Sequence, residues 1–226
     1  EKGASAYYFE IMDAYRTFLG SGKSEYIINK SRFIARAERI SCQKDAETVL
    51  AEEKKLYPDA THHCSAYILD PQGNSARFSD DGEPQGTAAK PILEVMRRQE
   101  ITQGIIVVTR YFGGILLGAG GLIRAYAHSA ALAVKQAGVC QMHKSVMLEL
   151  KIDYKELDRL KYLLSLPENS FIQQLETLYA ECPHLKLLIK KEDAPSAQEK
   201  LNKYLAGKLI LNISEAGYMP WQTDIK

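Results

Sequence analysis

The passage from Ile105 to Tyr126 most limits what this chain can fold into. Ile105-Ile106-Val107-Val108 is a continuous apolar run, the pattern of a strand covered on both faces. It leads through Thr109-Arg110-Tyr111-Phe112 into five glycines, Gly113, Gly114, Gly118, Gly120 and Gly121. A helical pattern follows from about Gly120 to Gln136, with Gly138 placed to end it. A buried strand that empties into a glycine-rich turn and a helix start brings free backbone N–H groups and the positive end of a helix dipole to one spot. Arg110 and Arg124 flank that spot and can make charge-assisted bonds to phosphate or carboxylate oxygens. No Lys-Ser/Thr pair follows the last glycine, which excludes a Walker loop, and Ile123 stands where a dinucleotide fingerprint needs its third small residue. The competing structural account is that the glycines permit tight turns and close helix–sheet packing.

Around this passage the elements read as a hairpin, Glu25 to Ile28 and Ser31 to Ile40, turning at Asn29-Lys30. A helix follows from Lys44 to Leu56, then a strand from His62 to Leu69, a turn at residues 70–74 and a strand from Ser75 to Phe78. The loop Ser79 to Gly86 leads to a helix from Thr87 to about Arg98, with Thr87 as its expected cap. Beyond a linker at 138–144, the order is strand 145–152, helix 154–166, strands 171–179 and 184–191, helix 195–206 and strand 208–214. That is β-α-β-β-α-β, the split ferredoxin-like unit. The predicted organisation is a leader or vector-derived segment at 1–20, a first domain at 21–139 and a second at 144–226, giving an α+β protein.

Three further stretches bear chemistry. Lys30-Ser31-Arg32-Phe33 sets two cations beside a hydroxyl and an aromatic ring, suited to phosphate contact plus stacking, or simply to a solvated strand face. In Thr61-His62-His63-Cys64-Ser65, strand alternation lets only His62 and Cys64 share a site. No other cluster supplies the third ligand that zinc needs, and nothing marks Cys64 as a reactive thiolate, so neither a metal nor a Cys-His dyad is expected. Asp80, Asp81 and Glu83 put three carboxylates on a Gly/Pro-punctuated loop. They suit an acid and a base, or merely favour the N-terminus of the helix that follows. The spacing is not that of a calcium loop.

Composition narrows the partners. Lys and Arg total 29 against 28 Asp and Glu, so no global field holds a polyanion or a membrane surface, and any nucleic-acid site must be local. The four cysteines form no CxxC pair, which fits a reducing cytoplasm, and no apolar run approaches the roughly 18 residues of a membrane span. No cofactor and no metal are expected, and no membrane partner.

KSRF at 30–33, HHCSAY at 62–67, SDDGEPQGTA at 79–88 and VVTRYFGGILLGAGGLIRAY at 107–126 resemble, in order and spacing, the IMPACT family, specifically its bacterial YigZ-type members. The resemblance implies a first domain with the α/β sandwich fold of ribosomal protein S-five domain 2. It also implies a ferredoxin-like second domain similar to elongation factor G domain V. Eukaryotic members are translational regulators that oppose the kinase acting on initiation factor 2, through an additional N-terminal domain not seen in this sequence. The resemblance therefore implies a link to translation or RNA but not that mechanism. A proline-dipeptidase label carried by some bacterial members finds no Ser-His-Asp or metallopeptidase ligand set here.

The leading expectation is a non-enzymatic RNA- or ribosome-associated protein that holds a polyanion in a glycine-rich groove. Lys30, Arg32, Arg110 and Arg124 would contact phosphates, Phe33, Tyr111 and Phe112 would stack, and Gly113, Gly114, Gly118, Gly120 and Gly121 would admit the backbone. The alternative is an enzyme acting on a small phosphorylated or carboxylated ligand, with Asp80, Asp81 or Glu83 as acid or base and His62 as auxiliary. A protein-interaction module built on the ferredoxin-like half is a third reading, carried by element order alone.

Overall fold

A computed structural model describes residues 13–179, 181–205 and 210–221. The chain is α+β and divides into two compact units, 1–141 with 220–226, and 142–219. The first unit opens with β1 (Ala14–Phe18), inside the segment expected to be a leader. Tyr15 and Phe18 are buried, and the Thr17 hydroxyl donates to the Gln103 carbonyl at 3.0 Å, so this strand is bound into the unit by side chains as well as backbone.

Five strands then form one sheet in the order β2-β3-β6-β4-β5, all pairs antiparallel. They are β2 (Gly22–Ile28), β3 (Ser31–Arg39), β4 (His62–Ile68), β5 (Ala76–Ser79) and β6 (Gly104–Tyr111). The Ile105–Val108 run lies on β6, the middle strand, and every residue of it is buried, as a strand covered on both faces requires. On one face, Ile105 and Val107 meet Ala46 and Val49 of α1 (Gln43–Leu56). On the other, Ile106 and Val108 join Phe33, Ala35 and Ala37 beneath α2 (Ala89–Arg98) and α3 (Gly118–Ala137). Alanines at 125, 130, 133 and 137 keep α3 close to the sheet. Gly22 belongs to this close packing, since a Cβ there would lie 2.1 Å from the Ala137 nitrogen.

Helix α3 starts two residues before the predicted position, and Gly138 ends it at φ 66 with its N–H on the Val134 carbonyl. The stretch expected as a linker is strand: β7 runs without a break over Val139–Lys151. In the second unit, β7, α4 (Tyr154–Ser165), β8 (Ile172–Leu178), β9 (His184–Lys190), α5 (Ala194–Tyr204) and β10 (Ile210–Trp221) follow the predicted order. Their sheet has five strands, in the order β1-β7-β9-β8 with β10 also pairing β7, and β7–β9 and β8–β9 are antiparallel. Leu148, Leu150, Leu185 and Leu187 from the sheet pack with Leu157 and Leu160 of α4 and Ala197 and Leu201 of α5. No helix among the described residues is long and apolar enough to cross a membrane.

Candidate functional site

The four sequence blocks meet at one end of the first sheet, where the turn before β3, the start of β4, the acidic loop and the end of β6 lie side by side. Register explains the sorting of side chains. Arg110 lies opposite Phe33 on one neighbouring strand and opposite His62 on the other, so these three share a face. Arg32 lies opposite Tyr111 and shares the other face.

On the inner face Arg110 is nearly sealed from solvent. Its Nη1 donates to Glu83 Oε1 at 2.6 Å, and its Nη2 lies 3.4 Å from Ser31 Oγ. The guanidinium sits over Phe33 at 5.4 Å and Phe112 at 5.5 Å. The same Glu83 oxygen accepts from the Tyr126 hydroxyl at 2.7 Å, and the Cys64 thiol contacts that hydroxyl at 3.3 Å. Burial pushes the Cys64 thiol up to about 12 and raises Tyr126 further above its ordinary range, so both stay protonated and serve as hydrogen-bond donors. His62 and Cys64 do reach one site, as alternation predicts: His62 Nε2 lies 4.0 Å from Glu83 Oε1, and its Nδ1 is 2.7 Å from the Asp81 carbonyl.

The acidic loop is occupied with holding its own shape. Asp80 accepts from the Gly86, Ala88 and Ala89 amides at 2.8, 3.1 and 2.8 Å, which makes it the carboxylate at the start of α2. Thr87, the expected cap, instead donates to the Pro84 carbonyl at 2.6 Å. The preference for acid at a helix N-terminus is thus met by a residue nine positions before the helix, because the Gly/Pro-bent loop folds back. Asp81 accepts from the His63 amide at 2.6 Å. His63 faces the other way onto Thr109 Oγ1 at 3.0 Å, and burial lowers its pKa. Among the described residues no three His, Cys, Asp or Glu side chains are grouped to hold a metal ion.

The outer face carries Arg32 and Tyr111. Arg32 pairs with Glu25 at 2.8 Å and sits 5.8 Å from the centre of the Tyr111 ring, whose hydroxyl donates to Asp59. Phe33 is fully buried against Tyr126 with ring centres 5.2 Å apart.

A rim remains at the solvent edge. Gly113 closes against the β2–β3 turn: a Cβ there would lie 2.0 Å from the Lys30 carbonyl carbon, and its N–H donates to Ser31 Oγ. Lys30 holds φ 62 and Asn29 φ 47, a left-handed pair in which glycine ordinarily takes the second place. Gly114 and Gly118 have φ 80 and 66 with open space where a side chain would go. Gly120 and Gly121 lie in the first turn of α3, where no acidic residue is present, and an added Cβ on Gly121 would meet that of Leu117 at 2.9 Å. Phe112 is half exposed and Leu116 almost wholly so. Lys30 and Arg124 are exposed and have no ion-pair partner among the described residues.

The candidate residues therefore fall into three groups: Arg110, Phe33, Glu83 and His62 inside, Arg32 and Tyr111 on the opposite face, and Lys30, Phe112, Arg124 and the glycines on the rim. The sequence marks Cys64 and Ser31 but gives Tyr126 no role in the inner network. Tyr126 has a visible signal, being the one aromatic on a buried helix face otherwise lined by small and aliphatic residues.

Residues 29–134, which hold all four blocks, match the Impact N-terminal domain family. The chain is 34% identical over 209 residues to IMPACT family member YvyE of Bacillus subtilis, an alignment covering 92% of this chain and 95% of that protein. It is 36% identical over 139 residues to IMPACT family member YigZ of Escherichia coli, covering 61% and 68%. Human Protein IMPACT is 34% identical over 94 residues, covering 39% of this chain and 29% of that protein. A crystal structure described as that of a hypothetical protein superposes with a TM-score of 0.58 at 28% identity, over 91% of this chain and 100% of the other. With the matched region containing the whole Glu83–Arg110 network, and a one-third-identical relative along nearly the full length, this chain belongs to the IMPACT family.

Proposed function

We propose that this protein binds RNA, or the ribosome through its RNA, at the glycine rim of its first unit, and that it acts in the regulation of translation. The observation that carries the reading is the rim itself: open backbone at Gly114 and Gly118 between two cations without an ion-pair partner among the described residues, Lys30 and Arg124, beside the half-exposed Phe112 ring. Such a surface offers N–H groups and point charges to phosphates and a ring to an unstacked base. Arg110 supports the rim from beneath by holding Phe112, while Arg32 and Tyr111 lie on a separate face and would belong to a second contact. Translation enters through the family association alone, and a cytoplasmic location follows from it.

The same reading takes the first unit to have the ribosomal protein S-five domain 2 fold and the second to resemble elongation factor G domain V. The β-α-β-β-α-β element order, with β9 and β10 both pairing β7 and β8 pairing β9, supports the latter. The enzymatic alternative is weaker because each carboxylate of the acidic loop already has partners: amides for Asp80 and Asp81, Arg110 and Tyr126 for Glu83. Fluorescence anisotropy with a structured RNA carrying single-stranded loops tests the proposal. Lys30→Ala with Arg124→Ala is expected to weaken binding about tenfold or more. Unchanged binding in that double variant, or no binding by the native protein, would refute it.

A further inference from the structure

The sheet end opposite the family motifs holds a cavity of 480 Å³, within the range of roughly 300–1,000 Å³ typical of small-molecule sites. Its place is fixed by register: Ile68, which lines it, pairs with Gly104 at one end of β4, whereas His62 pairs with Arg110 at the other. Two arginines, Arg16 and Arg97, line it together with Gln72 and Thr102, and Tyr15, Pro71 and Ile101 give it an apolar wall.

Arg16 is held by its own backbone. Its carbonyl accepts from the Thr102 amide at 2.9 Å and from Thr102 Oγ1 at 3.2 Å, so the side chain leaves β1 from a fixed point. Its guanidinium is poorly satisfied. Among the described residues Nε is buried without a hydrogen-bond partner, and the Glu100 carboxylate stands 3.9 Å from Nη1, beyond hydrogen-bond distance, while the side chain as a whole is 39% exposed. A guanidinium whose hydrogen bonds are incompletely met gains from a further acceptor, and the exposed part of the Arg16 side chain, not the sealed Nε, is what an anion in the cavity can reach. The connection that carries Glu100 and Gln103 has both residues at positive φ, 56 and 45, so the backbone here is held in an unfavourable form.

We propose that this cavity binds a small organic anion whose carboxylate or phosphate oxygens engage Arg16, with Arg97 as the second cation, and whose short hydrocarbon or ring body lies against Tyr15, Pro71 and Ile101. A planar anion presented to the two terminal nitrogens of a guanidinium takes two parallel bonds, which favours a ligand with paired oxygens over a halide. The site is separate from the glycine rim and stands or falls without it.

The test is a titration of the full chain at fixed ionic strength with benzoate, phenyl phosphate and the neutral benzyl alcohol, read by amide NMR shifts. Saturable shifts confined to Gly73, Ile101, Thr102 and their neighbours, with benzyl alcohol silent, are expected. The tighter of the two anions identifies carboxylate or phosphate as the recognised group. Arg16→Gln and Arg97→Gln should each weaken that anion about fivefold or more, while Arg124→Ala leaves it unchanged. Arg97 is half exposed, so its variant keeps the test decisive even if Arg16→Gln misfolds. Scattered or non-saturating shifts, equal binding of benzyl alcohol, or anion binding unchanged in Arg97→Gln would overturn the proposal.

Discussion

Glu83 accepts from a cation and a phenol inside the first unit, and neither donor has water to fall back on. Glu83→Gln removes the negative partner of a buried guanidinium, so a loss of about 3–5 kcal/mol is expected in urea unfolding. Arg110→Met in the same chain should recover part of it, because the unmatched charge is then gone. Lys30 shows the opposite relation between stability and use. A lysine at φ 62 takes a conformation that suits glycine, so Lys30→Gly should leave stability unchanged or raise it by up to about 1 kcal/mol. The same change should weaken RNA binding. A variant that folds at least as well and binds less would locate the strain at the proposed function; equal binding would make the turn purely structural.

At the scale of elements, α2 depends on a residue outside it. Asp80→Ala strips acceptors from the Gly86, Ala88 and Ala89 amides and should cost about 1–2 kcal/mol, whereas Thr87→Ala should cost less. The reverse ranking in thermal unfolding would restore Thr87 as the cap. The strands and helices were largely legible because their signals are local: the apolar run of β6, the Asn-Lys turn, the Gly138 stop. Asp80 capping a helix nine residues away was not legible, since it depends on how a bent loop closes. Nor was the strand β7 over 139–144, where Gly138 marks a helix end and says nothing about the strand that begins beside it. At the candidate site, alternation brought His62 and Cys64 together correctly. It could not reveal that Arg110 would be absorbed by Glu83, because that partner comes from a loop in another part of the chain.

Across the whole molecule, the net charge of +1 now has a spatial reading: most of the cations near the motif blocks are paired, and Lys30 and Arg124 are left at the rim. Burial lowers the pKa of His63 in the first unit and of His143 in the second. Each binds its proton less readily folded than unfolded, so its contribution to stability is fully present above about pH 6.5 and is lost progressively as pH falls from there through the lower folded pKa. Thermal stability should therefore decline between about pH 7 and 5, and His63→Gln should flatten part of that decline. The central claim is that a local rim, and not overall charge, holds RNA. Its most direct measurement is the salt dependence of RNA affinity between about 50 and 300 mM, for the native chain and for Lys30→Ala with Arg124→Ala. The account predicts a linear fall of log affinity with log salt whose slope drops by about one for each cation removed. An affinity independent of salt, or an identical slope in the double variant, would contradict it.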